Sequence, residues 1–180
     1  YEGKEVLLNG AVHKIRDMGE VAFVVLRTRE GLVQTVYEEG ATTPELKELC
    51  EEAAVTVKGT VALEERAPQG FEIRAVSFEI LSKPVEPMPI AINKWKMNTS
   101  LETKLDLRPL SLRNVKERAK FRVQEGIVRG FRDYLHSQGF TEIHSPKIGA
   151  RGAEGGANLF RLEYFHKHAV LAQSPQFYKQ

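Results

Sequence analysis

Val21-Ala-Phe-Val-Val-Leu-Arg-Thr-Arg-Glu-Gly-Leu-Val-Gln-Thr-Val-Tyr37 holds two β-rich runs, Val21 to Thr28 and Leu32 to Tyr37, broken by a polar turn that ends in glycine. β-branched and aromatic residues at this density, bounded by turn residues, read as strands. Working outward, similar runs lie at Glu5 to Arg16, Ala54 to Leu63 and Phe71 to Leu81, which makes five. Between the third and fourth, Thr43-Pro-Glu-Leu-Lys-Glu-Leu-Cys-Glu51 predicts a helix, with Thr43 as its cap and Pro44 in the first helical position. Three strands, a helix and two strands within residues 1–82 is the order of an OB-fold barrel, whose face and loops bind oligonucleotides. A small β-barrel or SH3-like domain of unrelated use is the other reading of the same pattern.

The remaining chain has a different character. Residues 83–104 carry Pro84, Pro87, Pro89 and the single tryptophan, Trp95, without a clean period, and read as a linker or hinge. From 105 to 180 the pattern is mixed α and β. A long helix is expected from Asn114 to His136, with Asn114 and Glu117 as a capping pair and Gly139 just past its end. Its apolar residues Val115, Ala119, Val123, Ile127, Phe131 and Leu135 recur every fourth position and predict a stripe that faces a core or another subunit. Then follow an extended piece at Thr141 to His144, a glycine loop, strands at Leu159 to Phe165 and Ala169 to Ala172, and a helix starting near Ser174 with Pro175 first.

Composition narrows the function classes. With 180 residues and 42% apolar content the chain can fill ordinary cores. No run approaches the ~18 to 20 apolar residues of a membrane span, and the N-terminus lacks a signal-peptide core, so a cytoplasmic location is expected. Cys50 has no disulfide partner and reads as structural. The net charge of +2 is unevenly spread: residues 1–82 hold 9 Lys/Arg against 15 Asp/Glu, a balance of −6, and residues 83–180 hold 17 against 9, a balance of +8. The basic second part is consistent with a polyanionic partner, or with a solvated charged face.

Several side chains are candidates for chemistry. In Gly149-Ala-Arg-Gly-Ala-Glu-Gly-Gly-Ala157, four glycines surround Glu154, without the spacing of a Walker A or dinucleotide loop. Such a loop reads either as a mobile flap that delivers a carboxylate to a cationic ligand group or as a solvent-exposed turn. Gln176 and Lys179 share one helical face, fit to hold a small zwitterion with an extra carboxylate or simply solvated. His166 and His168 would share one side of a strand, yet no third ligand stands in register, so no metal is expected. His13, His136 and His144 have no acid or nucleophile at recognisable spacing, and no hydrolase elbow or zinc-protease motif occurs. Phe23 and Gln34 suit stacking and base-edge contact, although spacing alone favours core packing for Phe23.

Four stretches carry a family resemblance that covers essentially the whole chain. Val12-His-Lys-Ile-Arg-Asp-Met-Gly19, with Phe23, Leu26-Arg27 and Val33-Gln34, resembles the anticodon-binding OB-fold of the aspartyl-tRNA synthetases, in the branch of archaea, eukaryotes and some bacteria. His136-Ser-Gln-Gly-Phe-Thr-Glu-Ile-His-Ser-Pro146 is similar to class II motif 1, which builds the dimer interface and ends at a proline, here Pro146. Ala153-Glu-Gly-Gly-Ala-Asn-Leu-Phe160 is similar to the family's flipping loop. Tyr164-Phe165 and Ala172-Gln-Ser-Pro-Gln-Phe-Tyr-Lys-Gln180 are similar to its amino-acid site.

The resemblance implies a five-stranded OB-fold barrel, a hinge, and the first part of an antiparallel-sheet catalytic domain in an ATP- and Mg2+-dependent aspartate–tRNA ligase that works as a homodimer. Its implied partners are tRNA and aspartate. Glu154 would order the pocket around the aspartate ammonium, Gln176 would contact the amino group, and Lys179 would pair with the side-chain carboxylate. Anticodon contacts would fall on Arg16, Phe23 and Gln34, with Glu65 as a further candidate in a loop that aligns poorly. Met18 departs from members that have glutamine before the glycine, which leaves no base contact implied there. Motifs 2 and 3, whose arginines and acidic metal ligands hold ATP, have no counterpart in these residues, so no catalytic residue is assigned and the 180-residue piece alone is expected to be inactive. The other readings are an asparaginyl or lysyl relative, against which Lys179 and the Glu154 loop argue, and a non-catalytic tRNA-binding or dimerisation module.

Overall fold

The computed structural model describes residues 1–152 and 158–179. The chain forms two compact units, Tyr1–Lys120 and Phe121–Gln180, and the boundary falls inside one long helix.

In the first unit, strands β1 (Glu5–Asp17), β2 (Val21–Arg27), β3 (Leu32–Glu38), β4 (Ala54–Leu63) and β5 (Phe71–Ser82) close a barrel in the order β1-β2-β3-β5-β4. The five expected strands and the OB-fold order are both observed. β1 is long enough to pair with β4 through Glu5 to Ala11 and with β2 through Ala11 to Asp17, bending at a bulge between Val12 and Lys14. β3 and β5 close the barrel as a parallel pair at Thr35–Ile73 and Val36–Arg74. Side chains alternate along β2: Ala22, Val24 and Leu26 are fully buried in a core with Val12, Tyr37, Val55, Val57 and Phe78. Phe23 and Val25 therefore point to the outer face, so the core placement that spacing favoured for Phe23 is wrong. Where the β4–β5 register shifts at Gly59, a Cβ would run into the Arg74 carbonyl and the Ile73 side chain, and glycine alone fits that approach.

The helix expected from Thr43 and Pro44 reduces to one 3-10 turn, Leu46–Glu48, which Thr43 does not cap. β5 claims the Thr43 backbone instead. The Thr43 N–H donates to the Val76 carbonyl at 3.2 Å, and its carbonyl accepts from the Phe78 N–H at 2.6 Å.

Past the barrel, the proline-rich segment has a small core of its own: Ile90, Ile92 and Met97 are buried, with Met88, Leu107 and Leu110 packed against them. Helices α1 (Leu101–Asp106) and α2 (Arg108–Ser111) lead into α3 (Val115–Ser137). Asn114 caps α3, its Oδ1 accepting from the Lys116 and Glu117 N–H groups at 3.0 and 3.1 Å. Its Nδ2 donates to the carbonyls of Ile92 and Lys94 at 2.8 and 2.7 Å, which ties the preceding segment to the helix start. Glu117 does not complete a capping box; its carboxylate pairs with Lys104 and Lys120. Gly139, at φ +81°, follows the end of α3 as expected.

The second unit contains the rest of α3 and a three-stranded antiparallel sheet, order β6-β8-β7, made of β6 (Ile148–Gly149), β7 (Arg161–Tyr164) and β8 (Lys167–Leu171). α4 (Gln176–Lys179) closes it. Thr141 to His144 forms no strand; the first strand of this sheet is β6. β7 and β8 turn at Phe165 and His166, both at positive φ. His166 thus lies in the turn and His168 in the strand, so the two imidazoles do not share a strand face as their spacing suggested.

Candidate nucleic-acid interface

Strand register brings the expected barrel residues together on the outer face. Arg16 sits directly across from Phe23, its guanidinium 5.2 Å from the ring centroid. One strand further on, the buried Gln34 accepts from Arg16 Nη2 through Oε1 at 2.8 Å and donates through Nε2 to Glu72 Oε2 at 3.1 Å. The guanidinium only donates and the carboxylate only accepts, so the Gln34 amide has a single satisfied orientation. With Arg16 and Glu72 each taking one bond, one further N–H and one further lone pair of that amide remain beside the aromatic ring.

Glu72 is the residue that reading the sequence missed. It is buried near the start of β5, 38 positions from Gln34, and parity with inward-facing Ile73 is the signal that places it on the outer face. Glu65 lies exposed on the β4–β5 turn, outside this network.

At the end of β2, Arg27 makes a bidentate pair with Glu52 at 2.6 and 2.7 Å, and Arg113, just before α3, adds a third bond at 2.7 Å. Burial works against the Glu52 charge, but these hydrogen bonds outweigh it and hold the carboxyl below its ordinary value. His13, 3.3 Å from Arg27, is pushed below its ordinary value by burial and then by the Arg27 charge.

A cleft of about 300 Å3 opens beside Arg16 and Gln34. Its other wall carries Lys94, Trp95 and Lys116, with the Lys116 ammonium 5.7 Å from the indole centroid.

The candidate amino-acid residues are less gathered. Gln176 and Lys179 are exposed on α4, and Lys179 lines a cavity of about 960 Å3 with Tyr178, Phe131 and the ion-paired Arg132 and Glu142. Gln176 is not part of that lining. Glu154 lies outside the described residues. Pro146 is exposed, as are Val123, Ile127 and Phe131 of the α3 stripe. Among the described residues no three His, Cys, Asp or Glu side chains cluster to hold a metal, and no helix is long and apolar enough to cross a membrane.

Two family models match the chain in succession: an OB-fold nucleic acid binding domain over residues 6–81, and the class II tRNA synthetases (D, K and N) over residues 100–180. The aspartate–tRNA(Asp/Asn) ligase of Thermus thermophilus is 46% identical over 99% of this chain and 41% of its own length. The enzyme of the same name from Deinococcus radiodurans is 46% identical over 100% of the chain and 40% of its own. Among solved structures, asparaginyl-tRNA synthetase from Pyrococcus horikoshii, complexed with asparaginyl-adenylate, superposes with a TM-score of 0.83 at 35% identity, covering 98% of this chain and 41% of that one. The chain thus spans about two fifths of the length of the curated relatives it matches.

Proposed function

Because the chain belongs to the class II tRNA synthetases of the D, K and N group, we propose that the whole protein is a cytoplasmic aspartate–tRNA ligase that joins aspartate to tRNA with ATP. The observation that carries this reading is the Arg16–Gln34–Glu72 network beside Phe23. Phe23 stacks on an anticodon base, and Gln34, held in one orientation, reads the donor and acceptor of a pyrimidine edge. Arg16 and Glu72 fix that amide before RNA arrives, so little ordering is left to do on binding.

On the amino-acid side, Lys179 pairs with the aspartate side chain, Gln176 contacts the amino group, and Glu154 orders the pocket. A lysine there prefers aspartate to asparagine because a neutral amide forfeits the charge-assisted contact. ATP with Mg2+ supplies the activation chemistry of the class. The described residues contain no carboxylate cluster that fits the metal. Their part is to bind and orient tRNA and aspartate. The exposed apolar residues of α3, with Pro146, form the homodimer contact.

The test is amino-acid-dependent exchange of pyrophosphate into ATP by the full-length protein, with aspartate, asparagine and lysine side by side, followed by charging of aspartate and asparagine tRNAs. Exchange with aspartate alone is expected. Exchange with asparagine or lysine would move the protein to a sister specificity, and no exchange from a folded full-length chain would leave a tRNA-binding module.

A further inference from the structure

The barrel portion is acidic, yet the cleft beside its base-reading face is lined by Lys14, Arg16, Lys94 and Lys116 and by no carboxylate. None of Lys14, Lys94 and Lys116 has an ion-pair partner among the described residues. On the same wall, Trp95 is 74% exposed and takes no part in the small core formed by Ile90, Ile92 and Met97. A large aromatic ring left in solvent contributes little to folding, and Lys116 beside it adds positive charge.

The ring's surroundings are fixed. The buried Asn114 binds the Lys94 carbonyl with its amide nitrogen and the Lys116 N–H with its amide oxygen, so one side chain positions the residue before Trp95 and the lysine beside it. A flat ring, phosphate-seeking cations and a preorganised backbone are what single-stranded nucleic acid needs, and a cleft of about 300 Å3 is too small to seat a duplex.

We propose that the Trp95 wall is a second nucleotide site for single-stranded RNA, seating a loop base that flanks those read by Arg16, Phe23 and Gln34, with its phosphates on Lys14, Lys94 and Lys116. This rests on the tRNA-binding reading and extends it beyond the barrel, into a segment outside the span that matches the OB-fold model.

The experiment measures binding of the full-length protein to an anticodon stem–loop hairpin of aspartate tRNA, and to hairpins in which each nucleotide beside the anticodon is made abasic in turn. Trp95→Leu is expected to weaken binding about tenfold, the order of one lost base stack, and Trp95→Phe to stay near wild type. One abasic hairpin should lose the same factor with the wild-type protein and nothing more with Trp95→Leu. Lys94→Gln and Lys116→Gln should each lower the salt slope of log K by about one. If Trp95→Leu binds as wild type a hairpin whose affinity falls with Phe23→Ala, the site is overturned, and the exposed indole is then a surface for some other partner. If the hairpin does not bind wild type, or ignores Phe23→Ala, the tRNA reading fails and takes the site with it.

Discussion

Glu52 holds φ at +67°, a conformation that costs a non-glycine residue energy and persists only where its surroundings enforce it. Those surroundings are its backbone bond to the Val12 carbonyl and two guanidiniums. Glu52→Gln leaves Arg27, itself largely buried, without its countercharge and with at most one of its two bonds to this side chain, and is expected to cost about 3 kcal/mol in denaturant unfolding. The cluster also sets a direction for acid sensitivity. Below His13's ordinary 6.5 the unfolded chain takes up a proton that the folded chain refuses, so stability falls as pH drops past that point toward the depressed folded value. The Glu52 contribution is full above the ordinary carboxylate value of 4.5 and is lost only as pH falls through its lower folded value. The urea midpoint of His13→Gln should accordingly decline less than that of wild type between about pH 7.5 and about pH 5.5. On the outer face, Glu72→Gln removes the charged acceptor that orients Gln34, and, on the proposed reading, discrimination between pyrimidines at the anticodon base facing Gln34 should fall about tenfold, measured by charging of tRNAs altered in turn at each anticodon base. Arg16, Phe23 and Gln34, proposed as anticodon contacts, could be named as such only from the stretches that carry the family resemblance. Glu72 was not, because its partner Gln34 is 38 positions away.

At the scale of elements, Asn114 performs two tasks with one amide. Asn114→Ala removes the α3 cap and both carbonyl contacts, and about 2 kcal/mol of destabilisation is expected, with faster hydrogen exchange in the first turn of α3. Gly59→Ala forces β4 and β5 apart at Arg74 and should cost about 1–3 kcal/mol, read as a lower thermal midpoint. The barrel strands could be read to within about a residue at their ends because β-branched runs and turn residues are local signals. Their facing could not be read in β2, where Val21-Ala-Phe-Val-Val-Leu is apolar in both parities, so periodicity does not say which set turns inward. The failed helix at Thr43 has the same origin. Its cap and proline are local signs, while Val76 and Phe78, which take the Thr43 backbone, lie more than thirty positions on. Nor does alternation name a partner, so the parallel closure of β3 on β5 came only with the fold.

Across the molecule, the residues of the α3 stripe advance about 40° around the helix at each four-residue step, so the apolar path winds around the axis and cannot be covered from one side alone. Ile127 and Phe131 are about two-thirds exposed, which suits burial against a second copy. On the proposed homodimer reading, full-length wild type is expected to sediment as a dimer and an Ile127→Glu/Phe131→Glu double variant as a monomer that has lost aminoacylation. The contrast between an acidic barrel portion and a cation-lined cleft bears on a different problem, competition. A cell offers far more wrong RNA than right, and a uniformly basic surface would be occupied by whatever arrived first. The excess of carboxylates over the barrel portion disfavours a phosphate backbone in most approaches to it, whereas the cleft, lined by Lys14, Arg16, Lys94 and Lys116 and by no carboxylate, favours one. On the proposed tRNA-binding reading, such repulsion would screen out double-stranded and misoriented RNA before any base is read, giving up some speed of capture for time not spent on the wrong molecule.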